Sequence, residues 1–305
     1  MPVVTSVFTS FRLVFSEIGS FQIVGTIFSL CRVSGAIYFS NVNSNFTMFN
    51  SAFDRCKNSD HGGGINCEKA FSFVTRTICF YDCEAYRCPG FFLNGHYFGT
   101  YSRTHMNFSS EFNPKPSGAA SALYGRKNTM YWNNNISKSF CNDLSAGINF
   151  GNAENTCVGK YFIIFESTGP GFLRFHSSIS PSSFSFSHFN IINHFNSPVS
   201  SWLAYATSHH LSIFNSVFRN ITQAQMFSGS SGSASFSYCS FEIPYNSAIF
   251  SGCSTTNNIY NTYSSPNEFD LVNTASCWGP GTLEITSPYK DNRINWISII
   301  IFLLL

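Results

Sequence analysis

Phe53-Asp54-Arg55-Cys56, then Gly62-Gly63-Gly64-Ile65, then Phe80-Tyr81-Asp82-Cys83: this stretch decides how the chain is read. An aromatic closes a β-like run, a polar break brings a Cys three residues on, and a patch of small residues opens the next apolar run. The same phrase stands one step earlier as Phe28-Ser29-Leu30-Cys31 with Ser34-Gly35-Ala36-Ile37. Working outward, aromatic anchors follow at Phe112, Phe140, Phe165, Phe189, Phe218, Phe241 and Tyr263, spaced 22 to 32 residues apart. A near-regular period in the roughly 20–50 range is the mark of a solenoid. Before most anchors, apolar and small polar residues alternate, as in Phe46, Met48 and Phe53, or Phe184, Phe186 and Phe189. Alternation at period two is the strand pattern. No stretch before the C-terminal tail keeps a 3.6-residue period for three turns.

A coil of about 25 residues with two or three short strands is the unit of a parallel β-helix, and stacking buries the apolar face that one coil cannot bury alone. The predicted fold is therefore all-β: a right-handed parallel β-helix of about ten coils, about 4.8 Å apart, giving a rod of roughly 48 Å. Phe should stack over Phe down the core. Gly35 and Gly62 to Gly64 should take tight corners that need φ > 0, and Asn in the breaks tolerates the same conformation. The least regular part, 100–135, holds Pro114, Pro116 and Asn133-Asn134-Asn135, and predicts a protruding loop. A β-sandwich would also give many short strands, but it does not require one phrase to recur every 25 residues or so.

The organisation expected is a cap or incomplete first coil at 1–22, the β-helix at 23–275, a polar linker at 276–293 and a short apolar tail at 294–305. Arg12 and Glu17 interrupt the N-terminal stretch and no basic region precedes it, so it does not read as a signal peptide, and the chain reads as starting inside a longer architecture. The tail runs apolar from Ile294 to Leu305, with Trp296 near its edge and Lys290 and Arg293 before it. That arrangement suits a membrane interface, yet twelve residues rise only about 18 Å as a helix against a hydrocarbon core of roughly 30 Å. A truncated transmembrane helix, the tail of a lipid-anchor signal and a final apolar strand all remain readings of it.

Composition narrows the function classes. Charged residues are 10% of the chain, against roughly 25% in an ordinary domain, so the surface must be polar through Asn, Ser and Thr, as is common outside the cell. Thirty-five Phe residues exclude a disordered chain. A net charge of +2 with scattered basic residues gives no nucleic-acid footprint. Four N-glycosylation sequons begin at Asn45, Asn107, Asn135 and Asn220. Of eleven Cys, Cys31, Cys56 and Cys83 each follow an anchor by three residues. They should stack about 4.8 Å apart, a spacing that admits either a buried thiol ladder or a disulfide.

The Phe-x-x-Cys phrase followed by Gly-Gly-Gly-Ile or Ser-Gly-Ala-Ile resembles the right-handed parallel β-helix proteins of the pectin-lyase-like superfold. More narrowly, it is similar to the Phe-, Asn- and Cys-rich surface β-helix families of parasitic protists, themselves akin to bacterial polymorphic outer-membrane proteins. The resemblance covers roughly residues 23–275. It implies a membrane-associated cell-surface protein with an adhesive, binding or structural role toward a protein or glycan ligand, with membrane contact through the C-terminal tail. It transfers no catalytic residues. The superfold also contains polysaccharide lyases and hydrolases, so a carbohydrate-active enzyme is the alternative, and a degenerate structural spacer a further one.

Enzymatic cleavage needs paired carboxylates, or carboxylates holding Ca²⁺ beside a base. Asp54 and Asp82 lie in adjacent coils, one residue out of register beside Arg55 and Tyr81, and read as a turn ladder rather than a cation site. Cys79, Cys83 and Cys88 with His61 match no closed zinc spacing. His209-His210 reads as a turn pair, and the Gly/Ser run 228–235 lacks the Lys and helix of a phosphate loop. We therefore expect no enzyme activity, no catalytic or metal residues and no cofactor.

Overall fold

The computed structural model describes residues 3–4, 7–9, 12–88, 90–94, 103–112, 115–116, 119–124, 128–137, 145–151, 156–169, 171–176, 183–195, 202–207, 209–222 and 225–262. The expectations for the linker 276–293, the tail 294–305 and the anchors Phe140 and Tyr263 fall outside them. Every regular element among the described residues is a strand, and every pairing between strands is parallel across one coil. The chain is an all-β parallel solenoid.

Each coil runs along three faces. The first is built from Leu13–Phe15, the start of Ile37–Asp54, the start of Ile65–Tyr81, Phe91–Asn94 and their successors through Gln225–Ser228. The second begins with Val3–Val4, which pairs with Ser20–Val24, then 45–49 and 72–76. The third carries the aromatic ladder. Ile37–Asp54 is 18 residues long because it turns corners without leaving the ladder. One turn is a register shift between Asn41 and Asn45, and the other is at Asn50, with φ 48°. A small sheet of Lys57–His61, Glu84–Arg87 and Lys115–Pro116 covers one corner.

The Phe ladder forms as the phrase demands. Phe28 stacks on Phe53 at 5.0 Å with 7° between ring planes, and Phe53 on Phe80 at 4.9 Å and 11°. Phe218 stacks on Phe241 at 4.8 Å, and Phe241 on Tyr260 at 5.4 Å. Phe46 on Phe73, at 5.1 Å, repeats the arrangement on the second face. In-register parallel pairing holds identical side chains at one spacing, which is what brings like rings face to face.

The register between these blocks differs from the expected one. The rung after Phe80 passes through Glu111, Ile136, Ile164 and Ile191 before reaching Phe218. Phe112 and Phe165 lie one residue past the rung, and Phe189 two before it, so the anchors from which ten coils are counted are not all rungs of the ladder. The loop expected at 100–135 is also corrected. Arg103–Phe112 pairs with Ile65–Tyr81 on one side and Asn128–Ser137 on the other, so this stretch is part of the wall. Pro116 falls in the two-residue strand Lys115–Pro116 of the small sheet, where a lost N–H is tolerated; Pro114 lies outside the described residues.

The corners rest on two devices. In seven coils one residue takes the left-handed conformation at the end of the second face: Gly25, Asn50, Tyr161, His188, Asn215, Tyr238 and Asn257. Beyond it, a side chain of the next coil accepts the corner amide of the coil before. Ser51 Oγ accepts from the Thr26 N–H (3.2 Å), Ser216 Oγ from the Phe189 N–H (3.0 Å), and Asn258 Oδ1 from the Cys239 N–H (2.8 Å). These satisfy buried backbone donors that the bend removes from the ladder. At the opposite corner, Gly35 and Gly62 have φ of 77° and 67° as expected, but Gly63 and Gly64 do not have positive φ. Gly64 is small for another reason: a Cβ there would sit 2.6 Å from the Phe80 ring.

Candidate binding surface

The carboxylates come first, because they separate an enzyme from a binding protein. Asp54 is buried, and its pairing with Tyr81 confirms the one-residue offset from Asp82. Its Oδ2 accepts from Ser29 Oγ (3.0 Å) and from Arg55 Nη2 (2.8 Å) and Nε (3.0 Å). The hydrogen bond to Asp54 is the main cause that raises the Arg55 pKa, with Asp82 adding to it. The Arg55 guanidinium thus neutralises the buried Asp54 carboxylate. A second polar group, Arg12 over the Tyr38 ring (4.6 Å) with Tyr38 donating to Glu68 (2.7 Å), lies on the first face. Burial and that hydrogen bond both raise the Tyr38 pKa, which keeps the phenol protonated. Among the described residues no three His, Cys, Asp or Glu side chains group as metal ligands.

Cys31, Cys56 and Cys83 stack as the spacing requires, and all three are buried thiols, not a disulfide. Cys56 Sγ donates to the Phe28 carbonyl (3.5 Å) and Cys83 Sγ to the Phe53 carbonyl (3.7 Å). The Cys56 thiol also hydrogen-bonds both neighbours. The bond to Cys31 lowers its pKa, but the bond to Cys83 and burial outweigh it, and the net shift is strongly upward. A thiol that resists ionisation is neither nucleophile nor ligand. Cys79, by contrast, is disulfide-bonded.

Among the sequons, Asn45 is half-buried on a strand and donates to Ser20 Oγ (3.2 Å). Asn107 and Asn135 sit on the paired strands Arg103–Phe112 and Asn128–Ser137. Asn220 is exposed at a left-handed corner (φ 47°) and donates to Asn193 Oδ1 (3.0 Å).

The structure separates the two histidines of His209-His210. His209 is buried, edge-on to Phe184 at 5.1 Å. His210 is exposed, with Nδ1 2.8 Å from Ser233 Oγ and Nε2 3.4 Å from Ser235 Oγ. The Gly/Ser run that follows continues into the strand Ser233–Ser237, so part of it is wall rather than loop.

These residues belong to a surface the sequence reading did not assemble. On the second face, Ser185, Ser212, Ser235 and Ser254 stack in four consecutive coils, and Ser235 Oγ donates to Ser212 Oγ at 3.2 Å. Ser183, His210 and Ser233 form the row on one side, and Ser187, the half-buried Phe214, Ser237 and Thr256 form the row on the other. Alternate residues (Phe184, Phe186, Leu211, Ile213, Ala234, Phe236) point into the core. The signal is present in Ser183-Phe-Ser-Phe-Ser187, which reads in the sequence as strand alternation, and in Ser233-Ala-Ser-Phe-Ser237, which overlaps the Gly/Ser run weighed only against a phosphate loop. The hydroxyls stand about 4.8 Å apart between coils and about 6.6 Å apart along a strand.

No family model, curated protein or solved structure matches the chain. Among the described residues no helix is long and apolar enough to cross a membrane.

Proposed function

We propose that this chain is a non-enzymatic surface-binding rod, the β-helix part of a cell-surface protein with an adhesive or binding role. The observation that carries the reading is the regular hydroxyl face on a rigid solenoid, held beside a core that leaves its described thiols and its buried Asp54 chemically committed. Resemblance of the Phe-x-x-Cys phrase to protist surface β-helix proteins of pectin-lyase-like architecture points the same way. A solenoid presents an extended surface without a deep pocket, which suits binding of a long or repetitive partner. Protease shaving of intact cells tests the reading. Loss of the protein from shaved cells, with cytosolic markers retained, is the expected result. A pool wholly protected inside intact cells and released only on lysis would overturn it.

A further inference from the structure

We infer that the hydroxyl face centred on Ser212 and Ser235 binds a neutral polysaccharide, lying across the coils. The inference rests on the binding-rod reading and names its ligand class. Three observations select that class. First, the patch carries almost no charge: from His176 to Thr262 the sequence holds only Arg219 and Glu242 as charged residues, and these follow Phe218 and Phe241 on the third face, away from the hydroxyl rows. The nearest charge on its own rows is Lys160, one coil before Ser187. One lysine at the edge offers a polyanion or polycation no complementary field.

Second, apart from the half-buried Phe214 ring in the Ser237 row, the groups offered are hydroxyls and one imidazole, each able to donate and accept. A protein partner's apolar hot-spot side chain would need a pocket, and desolvating a flat field of hydroxyls against it would strand polar groups. A glycan brings its own dense hydroxyls, which pair with the lattice one for one, directly or through water. A regular polymer meets the same array in successive coils, so weak contacts add as multivalent ones do. Third, the face is edged by the left-handed corner row, where Tyr238 is 56% exposed next to Ser237. An exposed ring with an apolar body and a polar tip is the side chain that stacks on the apolar face of a sugar while remaining wet.

The test uses the purified full chain on insoluble neutral glycans (microcrystalline cellulose, chitin and mannan beads), with polygalacturonate beads as the acidic comparator. Wild type should be retained by at least one neutral glycan and not preferentially by polygalacturonate. The double variant Ser212→Glu/Ser235→Glu should lose at least tenfold in affinity. Ser212→Thr, which keeps the hydroxyl, and Thr47→Glu, on the same face several coils away, should bind as wild type. Circular dichroism and the thermal midpoint confirm that each variant is folded. Retention by no neutral glycan, equal binding by the folded double variant, or preference for polygalacturonate overturns the inference. So does a wild-type dimer in sedimentation that the double variant abolishes, because the face would then be covered by a second copy. A protein that is shaved from cells but retained by no glycan defeats this inference alone, whereas a protected intracellular pool defeats the surface reading whatever the beads retain.

Discussion

Removing one ring from the aromatic ladder should cost far more than removing a ring from the surface, and Phe53 is the position to use. It is fully buried, with Phe28 at 5.0 Å on one side and Phe80 at 4.9 Å on the other, both nearly parallel. Phe→Ala in a core costs roughly 3–5 kcal/mol from lost transfer energy and the cavity left behind. Two stacked contacts, each worth about 0.5–1.5 kcal/mol beyond burial, place Phe53→Ala at the upper end, about 5 kcal/mol. In-register parallel strands hold Phe28 and Phe80 one rung from the gap, so neither ring can easily collapse into it. Phe71→Ala is the matched control: Phe71 is 40% exposed, and its loss should cost about 1 kcal/mol or less. Urea unfolding followed by far-UV circular dichroism reads both, through the midpoint and the slope. A Phe53→Ala loss under about 1.5 kcal/mol, or no larger than that of Phe71→Ala, would refute the ladder as the core of the fold.

Four further outcomes follow from the corners and the thiols. Ser216→Ala removes the acceptor of the buried Phe189 amide and should cost about 1–3 kcal/mol, read by the same urea midpoint, whereas Ser216→Thr should retain most of it. Gly62→Ala combines φ of 67° with a Cβ placed 2.2 Å from the Ile65 carbonyl oxygen, so it should destabilise by at least about 2 kcal/mol; a neutral midpoint contradicts the tight corner. Burial pushes the Cys239 and Cys253 thiols up to about 12, while an unfolded thiol ionises near about 8.5. Between those values the unfolded state binds fewer protons, so stability is full below about pH 8.5 and falls as pH rises, by up to about 1.4 kcal/mol per pH unit for the buried Cys239 and by less for the partly exposed Cys253. A urea midpoint that stays level from pH 8 to 10 would contradict this. Cys31, Cys56 and Cys83 should resist iodoacetamide in the native protein at pH 8.5 and react once urea unfolds it, as read by peptide mass spectrometry.

Much of the fold was legible because the phrase repeats where the side chains are largest. Phe28, Phe53 and Phe80, and again Phe218 and Phe241, are true rungs. Legibility failed where Ile136, Ile164 and Ile191 fill the same layer. An aliphatic side chain packs there as well as a ring, and the nearby Phe165 and Phe189 then look like anchors. A slip of one residue turns a side chain to the opposite face, so Phe165 beside Ile164 is only partly buried. The stretch 100–135 misled because prolines and an Asn run signal a loop locally, while pairing to two neighbouring coils overrides the local preference. The hydroxyl face was hidden for a related reason. Ser185, Ser212, Ser235 and Ser254 are separated by 19 to 27 residues in the chain, and only the register shows that they form one row. The thiol ladder was legible as a stack, but the choice between thiols and a bridge depended on the carbonyls each sulfur faces.

The register itself is the central claim, and a distance between two spin labels tests it most directly. Thr47 and Ser185 lie on one outer row, joined by the pairs Thr47↔Val74, Val74↔His105, His105↔Met130, Met130↔Val158 and Val158↔Ser185. Five steps of about 4.8 Å place their backbones about 24 Å apart. Nitroxides attached through unnatural residues, leaving the native Cys untouched, should give a single narrow double electron–electron resonance peak near that distance, within the reach of the label arms. A broad distribution, or a peak beyond about 40 Å, would contradict the parallel solenoid.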